Sequence, residues 1–364
     1  MQSPLLATLK HPPCFFGLAP EAMDLVVREA RRALLLGQLG HVLSACPEYA
    51  RLPERIRDHF TAAMRLAEAH ERMLRWESEQ IAYALSKAGI QPVLLKGAAY
   101  LMEDLPLARG RIATDVDILV EESKLAETEA CLKQAGWVEV KSDDYDQTYY
   151  REWMHELPPL MHRLRGTVVD IHHNIVPRTA RLKPDGGKLI ASSVGTRIEG
   201  LRVLAPEDSI LNKVVHLFLL GEFDNSFREL VDLDGLLRAY STRPEFWTRL
   251  LPRARELQLT RPLYYGLRYA KRLMETPVPD EVLKASERFG PAMPIRWLMD
   301  RLIAAVLLPA HPDAASPGKA VAAWLLYLRS HWVKMPPLLL LKHLLTKAWM
   351  RRRPLSANPA ESDA

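Results

Sequence analysis

Apolar positions along this chain follow two different periods, and the change between them divides the sequence. From Pro20 to Ala88 the spacing is helical. Pro20-Glu21 opens a segment that runs to about Ser44, and Pro53-Glu54 opens a second that runs to Lys87-Ala88 and stops at Gly89. Proline in a first turn and glycine just past a last one are helix start and stop signals. Ile56, Phe60, Met64, Ala67, Met73, Leu74, Ile81 and Leu85 recur on one face of the second segment, so it predicts a helical packing layer.

From Gln91 the runs shorten and turn residues separate them. Pro92–Leu95 reads as a strand, Gly97 to Glu103 as a turn and short helix, and Val116–Val120 as a second strand. Ser123 reads as the cap of a helix ending near Gln134 and Gly136, followed by an extended stretch at Trp137–Val140. Leu160–Leu164 and Thr167–His173 flank Arg165-Gly166, a two-residue turn suited to antiparallel neighbours. Arg197–Glu199 and Leu201–Leu204 around Gly200 form another hairpin candidate. After Pro206 the pattern is helical again, with breaks expected at Gly221, Pro252, Pro277–Pro279, Pro291–Pro294 and Pro309–Gly318.

The pattern predicts an α+β fold: a small mixed sheet with helical regions before and after it. The expected regions are 1–90 (helical), 91–205 (α/β core), 206–333 (helical) and 334–364 (a basic amphipathic tail). At roughly 100–200 residues per domain, 364 residues are enough for a sizeable core without staples. Cys14, Cys46 and Cys131 show neither CxxC spacing nor an even count. Zinc-knuckle and disulfide-framework proteins are thereby set aside, and a cytoplasmic location is expected.

Net charge changes the picture less than its distribution does. Lys334, Lys342, Lys347 and Arg351–Arg353 account for six positive charges with no acid among them, and removing these takes the chain from +5 to −1. A general nucleic-acid surface is not indicated. Residues Leu338–Arg353 place Lys342, His343, Thr346 and Lys347 opposite Leu338, Leu341, Leu345, Ala348 and Trp349. Such a helix either packs on the protein or meets an anionic membrane surface or acidic partner; packing is the commoner outcome. Met1–Pro20 has no signal-peptide pattern, and no apolar run reaches the ~20 residues of a spanning helix.

The candidate chemistry lies in Asp115-Val116-Asp117-Ile118-Leu119-Val120. On a strand, Asp115 and Asp117 share one face and Val116 and Ile118 the other. Two adjacent carboxylates repel unless a cation sits between them, and hard oxygen ligands suit Mg²⁺ or Mn²⁺ holding phosphate oxygens. Val168-Val169-Asp170-Ile171-His172 supplies a further carboxylate, with His172 on the same strand face. A third acid beside the first two would complete a site for two metals. Each signal alone is common on ordinary strands and turns; their order is what makes them informative.

At these residues the sequence resembles a known group. Leu94-Leu95-Lys96-Gly97-Ala98, then Arg111 before Asp115–Val120, then Val169–His172, are similar to the bacterial "uncharacterised nucleotidyltransferase" family of the polymerase-beta-like nucleotidyltransferase superfamily. The resemblance continues through Leu204–Asp208, His216 and Arg228–Asp232. It implies nucleotidyl transfer, with Asp115, Asp117 and Asp170 as the metal-binding triad and Gly97 in the turn over the nucleotide phosphates. Where the wider superfamily has Gly-Ser, this chain has Gly97-Ala98, without that hydroxyl contact to phosphate.

Charge places Lys96 and Arg111 near a triphosphate, or else in salt bridges to the acids. The expected reaction is attack of an acceptor hydroxyl on the α-phosphate of a nucleoside triphosphate (ATP or another NTP), with the acceptor a small molecule, a protein or a tRNA end. A second reading is a catalytically silent nucleotide-binding or interaction module of the same fold. A third is a phosphohydrolase with a transition-metal site from His155, His162, His172, His173 and Asp170; adjacent His172 and His173 point to opposite strand faces, which counts against it. His172 is expected beside Asp170 as a supporting group, and His155 and His162 as ordinary surface or hairpin residues. Arg228 and Asp232 are expected to pair along one helix face, and His216 to be a satisfied core histidine.

Overall fold

The computed structural model describes residues 3–140, 144–220, 225–309, 318–336 and 339–340. Helices come first. Pro20–Arg32 and Leu36–Ser44 replace the single segment expected there. Leu34 takes a left-handed backbone (φ 57°), and the Leu35 amide returns to Ala30 O at 2.8 Å. This is the closing pattern usually signalled by glycine, and without a glycine the periodicity gave no warning of it. The long helix Glu54–Ser86 follows as expected.

Seven strands then form one mixed sheet: β1 (Val93–Leu94), β2 (Asp115–Leu119), β3 (Trp137–Glu139), β4 (Leu160–His162), β5 (Val168–His172), β6 (Val194–Gly195) and β7 (Arg202–Val203). Their order across the sheet is β3-β4-β5-β2-β1-β7-β6. The pairs β2/β5 and β1/β7 are parallel, and the other neighbours are antiparallel. Val116, Ile118, Val169 and Ile171 are fully buried, so the alternating apolar positions of β2 and β5 anchor the centre of the sheet. The helices Glu54–Ser86, Lys96–Met102 and Leu125–Gln134 pack with it.

Several local expectations shift. The last hairpin pairs Val194 with Val203 and Gly195 with Arg202, so its first strand lies upstream of Arg197–Glu199. Those three residues belong to the connection, where Thr196 caps the Ile198 amide through its own hydroxyl. The connection between β4 and β5 covers 163–167 rather than two residues, with the Gly166 amide on His162 O at 2.8 Å. Ser123 does not cap the following helix; its hydroxyl donates to the Glu121 carboxylate at 3.5 Å, and a 3-10 turn at Glu122–Lys124 precedes the helix.

From Pro206 the chain is helical: Pro206–Phe218, Ser226–Tyr240, Phe246–Glu256, Thr260–Met274, Asp280–Glu287, Met293–Leu307 and Lys319–Lys334. Pro252 does not break the chain but sits inside Phe246–Glu256. It faces solvent, while Phe246, Leu250 and Ala254 on the buried face pack the helix in place. Their burial outweighs the roughly 3 kcal/mol that an interior proline costs. Apolar side chains from Leu5 to Leu326 join in one contiguous core. The expected break at Gly221 and nearly all of the amphipathic tail lie outside the described residues. Among the described residues no helix is long and apolar enough to cross a membrane.

Candidate functional site

The sheet register builds the site. β2 and β5 run parallel side by side, with Asp117 opposite Asp170 and Asp115 opposite Val168. Because side chains alternate along a strand, Asp115, Asp117, Asp170 and His172 share one face. That face forms the floor of a cavity of about 460 Å³. The sequence placed Asp115 and Asp117 together; the register adds Asp170 beside them.

Lys96 enters from β1. Its neighbour Leu95 donates its amide to Asp117 O at 2.9 Å, which fixes the end of β1 against β2. Lys96 then turns the chain through a left-handed conformation (φ 48°) into the helix Lys96–Met102, at a cost of about 1 kcal/mol. Its Nζ donates to Asp117 Oδ1 at 2.7 Å. Burial opposes the ammonium charge, but the Asp117 carboxylate prevails and holds the Lys96 pKa above its ordinary value.

Asp117 is only 3% exposed. Its carboxyl is held well below the ordinary range: burial pushes it up, yet the Lys96 charge and the His172 hydrogen bond pull it down further. His172 Nε2 lies 3.0 Å from the same Oδ1, so His172 supports Asp117 rather than Asp170. Asp170 has no ion-pair partner among the described residues. Burial first, and then the neighbouring Asp117 charge, push its carboxyl up to about 7.

Arg111 does not reach freely into the cavity. Its Nε and Nη2 grip the Asp232 carboxylate at 3.0–3.2 Å, and Asp232 is completely buried. Asp232 also meets Lys213 Nζ at 3.3 Å, and Lys213 meets Glu229 at 2.6 Å. His216 Nδ1 stands 3.3 Å from Glu229, so this histidine lines the cavity wall instead of sitting in an apolar core. Arg228 does not pair with Asp232; it donates to the backbone carbonyl of Ile112. The four-residue helical spacing of Arg228 and Asp232 lost to a partner 121 residues away in sequence.

Gly97 has a specific spatial reason. A Cβ there would lie 2.5 Å from Arg111 Nη1 and 2.8 Å from the Ala113 Cβ. The glycine therefore lets the Arg111 guanidinium lie against the turn. Gly97→Ala is expected to displace that pinned guanidinium and lower stability by about 1–3 kcal/mol, which urea unfolding would measure. Wild-type stability in the variant would show that the turn has room to spare. Ala98 is buried within its helix and is not among the cavity-lining residues, so its side chain has a packing position.

His162 is a hairpin residue as expected, at the end of β4, whereas His155 is not on the surface. His155 and His162 are both buried. His162 packs edge-on against Trp137, ring centres 4.9 Å apart, away from the cavity. His155 lines the cavity beside His172, with ring centres 5.3 Å apart, and burial keeps it well below the usual histidine range. His173 turns to the other side, near Met154 O and Glu122. Glu156, on no motif, joins this group: its Oε2 lies 3.3 Å from His172 Nδ1. No spacing rule pointed to Glu156, Lys213 or Glu229, because their partners come from distant segments.

With this geometry in view, comparison with known protein families gives a match. The model of the uncharacterised nucleotidyltransferase family matches residues 19–275. The chain belongs to that family. The match spans the sheet, the long helix before it and the helices Pro206–Phe218 and Ser226–Tyr240 that wall the cavity, so this nucleotidyltransferase family includes much of the helical framework as well as the strands. No curated protein and no solved structure matches the chain. The α+β architecture with helical flanks is the one expected of a nucleotidyltransferase.

Proposed function

We propose that this nucleotidyltransferase moves a nucleoside monophosphate from a nucleoside triphosphate to an acceptor hydroxyl, using a divalent metal, Mg²⁺ or Mn²⁺. The observation that carries this reading is the β2/β5 register, which sets Asp170 against Asp117 with Asp115 on the same face. The donor chemistry suits such an ion: three hard oxygen ligands share one face, and burial, then crowding with the Asp117 charge, pushes Asp170 up to about 7. Asp115, Asp117 and Asp170 would hold the metal, which would supply positive charge to the triphosphate and to the attacking oxygen.

The rest of the chemistry belongs to side chains of the chain. The Lys96 side chain is partly exposed and lines the cavity, where its Nζ can donate to a phosphate oxygen as well as to Asp117. Arg111, fixed by Asp232, presents its remaining Nη1 at the Gly97 turn. Arg228 lines the same cavity, and its buried Nε has no hydrogen-bond partner, which suits an anionic ligand atom. Positioning and charge stabilisation do most of the work in phosphoryl chemistry. In this proposal segment 91–205 carries the chemistry, and segment 206–333 closes the cavity through Asn212, His216 and Arg228.

Calorimetry with ATP, CTP, GTP and UTP, with and without Mg²⁺, tests the reading on the wild type and on Asp115→Asn. The expected result is Mg²⁺-dependent binding of at least one triphosphate, lost in the variant. Absence of binding by all four would overturn the transferase reading in favour of a silent interaction module or the phosphohydrolase.

A further inference from the structure

A second donor set shares the cavity with the three aspartates. His155, Glu156 and His172 each offer a ligating atom, and these atoms lie within 4.8 Å of one another. We propose that these three residues form a separate site for a transition-metal dication of the Zn²⁺ type.

The donor chemistry selects the ion. Two imidazole nitrogens and one carboxylate oxygen suit zinc, which binds such three-residue sets and leaves a position open, whereas Mg²⁺ takes oxygen ligands. The surroundings are arranged to match. His172 Nε2 meets the Asp117 carboxylate at 3.0 Å, so with the proton on Nε2 its Nδ1 presents a lone pair to Glu156 Oε2, 3.3 Å away. A carboxylate that fixes the far nitrogen of a ligand histidine is the usual support of a metal-bound imidazole.

Unsatisfied atoms point the same way. His155 Nδ1 and His172 Nδ1 are both buried and without a hydrogen-bond partner, although such atoms are ordinarily satisfied. The residues themselves are 5% and 3% exposed, while Glu156 keeps one side toward the open cavity. A doubly protonated His172 bridging Asp117 and Glu156 would account for the His172 nitrogen but leave His155 Nδ1 unpartnered. None of the site's three ligands is one of the aspartates, although the two sites touch where His172 meets Asp117.

Equilibrium dialysis of the chelator-treated full chain against Zn²⁺, in excess Mg²⁺, tests the site through metal content. One bound Zn²⁺ is expected, retained in Asp115→Asn and weakened by roughly 100-fold in His155→Ala and in Glu156→Gln. Because His155 is buried, thermal unfolding provides the control: Zn²⁺ is expected to raise the melting temperature of wild type and not that of Glu156→Gln. The proposal is overturned if wild type binds no Zn²⁺ under these conditions. It is equally overturned if the His155 and Glu156 variants bind as wild type does, or if Asp115→Asn alone abolishes binding, which would put the ion on the aspartates.

Discussion

Asp170→Asn is expected to lose nucleotidyl transfer by on the order of 10³-fold while leaving the metal-free protein at least as stable as wild type. The two halves of this result have one cause. Asp170 is paired in register with Asp117 and has no ion-pair partner among the described residues, so in the proposed reaction its charge would serve a bound cation, and without one it strains the protein. Its carboxyl rises from 3.8 in the free side chain to about 7 in the fold. The folded state thus holds the proton more tightly, and ionising Asp170 costs stability. That cost is absent in acid, grows as pH rises from about 4 to about 7, and is complete above it, where it reaches a few kcal/mol. Urea unfolding in chelator at pH 5 and pH 8 should show a clearly larger advantage of the variant at the higher pH. Retained turnover would remove Asp170 from the site; a loss of stability at pH 8 would contradict the crowding argument.

Asp232→Asn is expected to destabilise the fold by about 3–5 kcal/mol, with the unfolding midpoint in urea as the measurement. Asp232 is fully buried and faces Arg111 and Lys213, whose side chains are 7% and 1% exposed. Burial pushes the Asp232 carboxyl up, but Arg111 and Lys213 together hold it below its ordinary value. Asparagine keeps the volume and removes the charge, leaving Arg111 buried without its counter-ion, whereas Lys213 retains Glu229. The sign with pH is opposite to that of Asp170. The contribution of Asp232 is complete above the ordinary value of 3.8 and is lost as pH falls through the lower folded value, so the deficit of the variant should close in acid. Arg111→Met/Asp232→Leu should recover most of the stability, because removing both partners leaves no orphaned charge. A double variant as unstable as the single would mean that the pair is not what holds this region together. Nucleotide affinity should stay low in both, since each loses the fixed guanidinium over Gly97.

How much of this was legible in the sequence depends on the range of the interaction. Asp115 and Asp117 were placed on one face by strand alternation alone, a property of two residues on one strand. The long helix Glu54–Ser86 was readable because its face repeats through many turns. The break at Leu34 was not, since a non-glycine residue in a left-handed conformation leaves no compositional mark. Pro252 misled in the other direction: the local cost of proline was visible, while the burial of Phe246, Leu250 and Ala254 that outweighs it was not.

By itself, then, the sequence determined the succession of helical, mixed and helical segments, the paired aspartates of β2 and the apolar frame around Asp170. These follow from local periodicity and side-chain direction, which a short stretch of chain carries within itself. Only the tertiary structure decided that β5 lies parallel to β2 in the register that sets Asp170 against Asp117. It also decided that Arg111 lines the cavity with its guanidinium held by Asp232, and that His155 and Glu156 meet His172. Each of those outcomes joins segments far apart in the chain, and burial of a shared core selects among their many possible pairings.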